Sequence, residues 1–200
     1  MADENKNVVA TPEVETPEVE TPVAAVEGIS KDSYAEILDK LLKNKENRVY
    51  RGLKIKNVLK KENDDYTRVT LVIMGSIPGY VPQEDGSYKI GVTSNIYTSS
   101  FAISAILKQN EETAMMGNYV IDHPEIIPVL LSGATISVVQ TNVGAGEEYH
   151  NPFTTRDDND AYVSDHNFIA NNIFALKLGK MGEKFVDKVL EKSVDILFKD

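Results

Sequence analysis

Three observations predict an α+β fold, mainly β, for this chain. Apolar residues recur with period two in several stretches after Val49, helical spacing concentrates on the two flanks, and the composition supports one core. The chain has 200 residues, 42% of them hydrophobic and 26% charged. That suffices for one folded domain plus tails. There is no cysteine, so disulfide scaffolds, thiolate zinc sites, iron–sulfur clusters and cysteine catalysis are excluded. No apolar run approaches the roughly 18 residues of a spanning helix. The opening Met1-Ala2-Asp3-Glu4 is acidic and lacks the apolar stretch of a secretory leader. A cytoplasmic protein without membrane contact is the expectation.

The first 29 residues read as a disordered acidic tail and residues 30–200 as a single domain. Thr-Pro-Glu-Val-Glu runs twice from Thr11, and a third Thr-Pro follows at Thr21-Pro22. Proline at every fifth position forbids a continuous helix, and the glutamates repel one another. Such a segment serves as a solubilising tether or as a polyanion mimic. Ser30 or Asp32 then caps a helix with Tyr34, Ile37, Leu38, Leu41 and Leu42 at helical spacing. That helix should end near 44–47.

From Val49 the period is two. Val49, Arg51, Leu53, Ile55 and Asn57 alternate with Tyr50, Gly52, Lys54, Lys56 and Val58. Residues 60–65 form a polar turn, and a second strand follows with Val69, Leu71 and Ile73 on one side. The pair makes a hairpin whose outer face is expected to carry Tyr50, Lys54, Lys56, Tyr66 and Arg68, with Lys60 at its turn. Ile77-Pro78-Gly79-Tyr80-Val81-Pro82 and Glu84-Asp85-Gly86-Ser87 are turn-forming, so 75–91 reads as a surface loop. A third strand covers Tyr88 to Tyr97. Ser99 or Ser100 caps a helix running to about Met116, and Pro124 and Pro128 allow only a short helical turn after it. Gly133 to Thr141 is the clearest single strand, with Ala134, Ile136 and Val138 on one side. A long polar loop starts at Glu147. Residues 162–178 fit strand or helix equally well. Over 180–198, Met181, Phe185, Val186, Val189, Leu190, Val194 and Leu197 form an amphipathic helix. Its stripe needs a partner surface, either the body or a second subunit.

Charge is divided unevenly along the chain. Residues 1–39 carry a net −8 and residues 62–200 a net −10, whereas 40–61 carry nine basic residues and one acid. A basic stripe on an acidic protein is either an anion-facing surface or a lysine-protected strand edge. Lysine and arginine neutralise phosphates, and tyrosine rings offer platforms for unpaired bases. On that chemistry the candidate nucleic-acid-binding residues are Tyr50, Lys54, Lys56, Lys60, Tyr66 and Arg68.

Catalytic patterns do not emerge. Gly144-Ala145-Gly146-Glu147 lacks the spacing of a phosphate-binding loop, and no Gly-x-Ser-x-Gly or His-Glu-x-x-His occurs. His150 and His166 flank Asp157, Asp158, Asp160 and Asp165, but the run lacks the glycine and final glutamate of a calcium loop. Glu147-Glu148 has no nucleophile nearby. A non-enzyme without metal or cofactor is expected.

The order of two long strands, a third, a helix, and then Leu131-Ser132-Gly133-Ala134-Thr135-Ile136-Ser137-Val138 resembles the single-stranded DNA-binding proteins of the oligonucleotide-binding (OB) barrel type. The resemblance is one of layout, over about 48–150, and looks like a bacteriophage version. It implies an OB-like five-stranded antiparallel barrel with an inserted helix, flanked here by the N-terminal and C-terminal helices. It also implies single-stranded DNA as partner, in replication or recombination. Bacterial members carry an acidic C-terminal tail; here the acidic repeat is N-terminal. The alternative is a non-enzymatic structural or assembly protein, for example a viral virion or accessory component.

Overall fold

The computed structural model describes residues 29–61, 66–154 and 161–197, with side chains up to 193. The acidic repeat, the tip of the 60–65 turn, Asp157, Asp158 and Asp160, and the side chains of Val194 and Leu197 lie outside the described residues. The elements in chain order are α1 (Lys31–Lys43), β1 (Arg48–Lys60), β2 (Arg68–Pro82), β3 (Tyr88–Ser99), α2 (Ser100–Leu107), α3 (Ala114–Asp122), a 3-10 turn (Pro124–Ile126), α4 (Ile127–Leu130), β4 (Thr135–Val143), β5 (Glu148–Tyr149), β6 (Tyr162–Val163), β7 (Phe168–Lys177) and α5 (Lys180–Leu197).

Five strands form one antiparallel sheet in the order β3-β2-β1-β4-β7. The sheet curls into a half-barrel of OB-like architecture, because its edge strand β7 also packs against β2 and β3. β1 holds it together through two ladders. Ile55 to Lys60 pair with β2, and Arg48 to Lys54 pair with β4. The concave side is filled by Ile55, Leu71, Ile73, Ile96, Ile136 and Val138. The helices between β3 and β4 add Ile103, Leu107, Met116, Val120 and Leu130 to the same core.

Strict alternation fails twice along β1. Tyr50 pairs with Val138 and Leu53 with Ile136, so three steps on β1 match two on β4. Gly52 sits in this bulge with φ +65°, a backbone region that glycine enters without steric penalty. The second irregularity lies between Ile55 and Asn57. A one-residue slip moves every later side chain to the other face. Tyr50 consequently shares the core side with Leu53, and its ring packs on the core. Lys54, paired with Thr135, is exposed. The expected single face of Tyr50, Lys54, Lys56, Tyr66 and Arg68 is therefore not formed.

The segment read as a surface loop is strand for most of its length. β2 runs on to Pro82, with Ile77 fully buried, and pairs through Pro82↔Tyr88 with β3. Proline and glycine are turn residues by propensity, yet β1 pairs with β2 only over Val69 to Ile73. Beyond that span one flank of β2 carries no ladder from β1, and proline is tolerated on such a strand. The helix expected to reach Met116 breaks after Leu107 and resumes at Ala114. Its start is as read: Ser99 Oγ accepts from the Ala102 amide at 3.2 Å. Ser30 caps α1 in the same way, accepting from the Ser33 amide at 3.1 Å. The polar loop holds a small ladder, β5 with β6, and the ambiguous 162–178 stretch contains strand β7.

α1 packs on the outer side of the sheet where β4 and β7 present Val139 and Phe174. Tyr34 packs with Val139, Phe153 and Phe174, and its ring lies 4.9 Å from that of Phe153. α5 docks on the body through Val186, Phe185 and Val189. The approach is close, because a Cβ on Gly182 would lie 2.2 Å from the Leu130 carbonyl oxygen. Helix propensity alone favours Gly182→Ala by about 1 kcal/mol. The contact reverses the sign: we expect a net loss of roughly 1–3 kcal/mol, as for other overpacked sites, measured by urea denaturation.

Candidate functional site

The ends of β2 and β3 approach the polar loop and β7 across a cleft of about 640 Å³. Its residues come from several separate parts of the chain. The β1–β2 connection gives Lys61, and the two strand ends give Arg68, Thr70, Tyr97 and Ser99. The loop after β5 gives Asn151, Phe153 and Thr154; β7 gives Asn171 and Ile173; α2 gives Ala102 and Ile106. Ladder geometry explains the grouping at the rim. Arg68 pairs with Ser99 and Thr70 with Tyr97, so Arg68 and Tyr97 are diagonal neighbours on one face. Ile96 beside Tyr97 is buried while Tyr97 itself is 77% exposed. The Lys61 amide donates to the Arg68 carbonyl at 3.3 Å, bringing two cations to one corner. Lys60 lies nearby with its Nζ 5.4 Å from the centre of the Tyr66 ring.

Behind the cleft a buried polar network anchors the wall. Asn172 is fully buried; its amide reaches the Val139 carbonyl at 3.4 Å and Thr141 Oγ1 at 3.3 Å. The Tyr149 hydroxyl donates to Asn172 Oδ1. Gln140 donates to the Pro78 carbonyl and, at 3.1 Å, to Asn171 Oδ1. Two cleft residues, Tyr149 and Asn171, are thus held by bonds to the sheet. No buried side-chain polar atom among the described residues lacks a partner.

Of the residues expected from sequence, Arg68 lines the cleft and Lys60 and Tyr66 stand beside Lys61 and Arg68. Lys54 and Lys56 are exposed on β1 and Tyr50 faces the core; none of the three is in the cleft lining. Sequence reasoning missed Tyr97, Asn151, Thr154 and Asn171. Tyr97 carried a usable signal, an aromatic residue out of phase with the apolar residue before it. Asn151 and Asn171 carried none, because only the fold brings the loop to β7.

A second aromatic group surrounds Phe168, whose ring lies 5.0 Å from Tyr162, 5.8 Å from Tyr149 and 6.1 Å from Tyr80. Tyr80 also contacts Tyr88 at 5.1 Å. Among the described residues no three His, Asp or Glu side chains are grouped to hold a metal ion. No helix among them is long and apolar enough to cross a membrane. Comparison with known proteins found no match to a family model, a curated protein or a solved structure.

Burial pushes the Tyr34 and Tyr149 hydroxyls well above the ordinary tyrosine range. The sign of the consequence follows from linkage. Below about pH 10 both groups are neutral in folded and unfolded chains, and their contribution is fully present. As the pH rises further, the unfolded chain ionises first and stability falls. Denaturant titrations should show the folded state weakening from about pH 10 upward. Tyr34→Phe should make that decline shallower while costing about 1 kcal/mol at neutral pH, through the Phe174 carbonyl it leaves unpaired.

Proposed function

We propose that the cleft binds single-stranded DNA without strong sequence preference, in support of replication or recombination. The observation that carries this reading is the diagonal placement of Arg68 and Tyr97 at the mouth of the cleft, with Lys61 beside them. A cation next to an exposed ring matches the alternation of phosphate and base along a single strand. Duplex DNA hides its base faces, so a ring at the rim gains nothing from it. The setting supports the reading too. In OB barrels the second and third strands, with the loops after strands one and four, form the binding surface. Lys61 after β1, the lining residues of β2 and β3, and residues 149–154 between β4 and β7 stand in those places here, with α2 and β7 completing the cleft. Asn151, Thr154 and Asn171 make part of the wall polar, while Ile106 and Ile173 make part of it apolar.

Phosphate contacts and stacking separate experimentally. For a short thymine oligomer, Lys61→Ala with Arg68→Ala should flatten the slope of log affinity against log salt by roughly 1.4, which is two phosphates at about 0.7 each. Tyr97→Ala should weaken binding by roughly 1–3 kcal/mol and leave the slope nearly unchanged. Lys54→Ala with Lys56→Ala should alter neither. Fluorescence anisotropy across a salt series reads all three, and a wild type that ignores the oligomer at low salt would retire the proposal.

A further inference from the structure

Beyond Gly75, β2 and β3 continue as a two-stranded arm over residues 77–92. The pairs Pro78↔Val92, Tyr80↔Ile90 and Pro82↔Tyr88 put these six side chains on one face. Two strands alone are marginal in water and need something packed on them. Phe168 and Tyr162 supply this around Tyr80 and Tyr88. The same face then continues uncovered, with Ile90 63% and Val92 75% exposed. The arm's turn carries Glu84 and Asp85, both exposed, and no basic residue. Ser87 donates to the Asp85 carboxylate from both its amide and its hydroxyl.

The opposite character occurs on β1. Lys54 and Lys56 are exposed and Leu59 is half-exposed, while Lys45 and Arg48 lie just before and at the start of the strand. Among the described residues no carboxylate forms an ion pair with Lys45, Lys54 or Lys56. Each copy of the chain therefore offers an apolar strip with an acidic end and, on β1, a basic surface that includes one half-exposed leucine, Leu59.

We propose that the arm of one copy, through Ile90 and Val92 with Glu84 and Asp85, docks on the basic outer side of β1 in a second copy. Charge complementarity selects a second copy over an unrelated partner. Because two different surfaces meet, the contact is head-to-tail and leaves one arm and one β1 surface free at the ends of a pair. The inference stands apart from the cleft and does not depend on what binds there.

The test uses the full-length chain, with mass measured by analytical ultracentrifugation over a wide concentration range. The wild type should associate, about tenfold more weakly at about 0.5 M salt than at about 0.05 M, as screened charges require. An arm variant, Ile90→Ser with Val92→Ser, and a β1 variant, Lys54→Glu with Lys56→Glu, should each be monomeric with unchanged circular dichroism. Mixed in equal amounts they should form a one-to-one pair and nothing larger, since only one intact contact remains. If the arm variant fails to fold, Glu84→Lys with Asp85→Lys replaces it, and mixing that protein with the β1 variant should restore association. A monomeric wild type, a mixture that stays monomeric, or a β1 variant that dimerises alone would each overturn the proposal.

Discussion

β1 has two partners, and the rest of the molecule depends on that. Its C-terminal half belongs to the β2 ladder and its N-terminal half to the β4 ladder, with the hand-over between Gly52 and Asn57. Each bulge in that stretch increases local twist and bends the strand. The bend turns a flat sheet into a half-barrel, gives Ile55, Leu71, Ile136 and Val138 a common interior, and brings β7 round towards β2 and β3. Without it the edge strands would stand apart, and the cleft between them would not exist.

The same bend explains which parts of the fold were legible in the sequence. α1, α5 and β4 carry an uninterrupted period and local caps or breaks, and all three were readable. The β1 alternation was readable only in pieces. Gly52 shifts the phase, and no periodic count can tell a glycine that makes a bulge from one that fills a strand position. The arm was misread for a related reason. Pro78, Gly79 and Pro82 favour turns locally, but a strand with one unladdered flank admits them. Arg68, Lys60 and Tyr66 were accessible because they lie close together in sequence. Asn151 and Asn171 meet only through a chain reversal, and Tyr50 was misplaced by one bulge.

The cleft combines a rigid side with an exposed one. Tyr149 and Asn171 are held through Asn172 and Gln140, which bond to β4 and to the Pro78 carbonyl. Cutting these bonds would leave buried polar groups unpaired, at about 1–3 kcal/mol each. Arg68 and Tyr97 instead sit at strand ends, facing outward. A fixed wall and an exposed cation–ring corner suit a ligand that is long, anionic and locally flat. The lysines of β1 lie outside the cleft, and the proposed contact with the arm of a second copy would give them a role.

If the cleft binds as proposed, a single strand meets the chain there. Ultraviolet cross-linking of a thymine oligomer, with adducts mapped by mass spectrometry, tests it most directly. A strand seated in the cleft gives adducts on Tyr97 and on the peptide containing residues 149–154, removed by excess unlabelled single strand and retained in excess duplex. Adducts confined to the Lys54–Lys56 stretch of β1, or none at low salt, would contradict it.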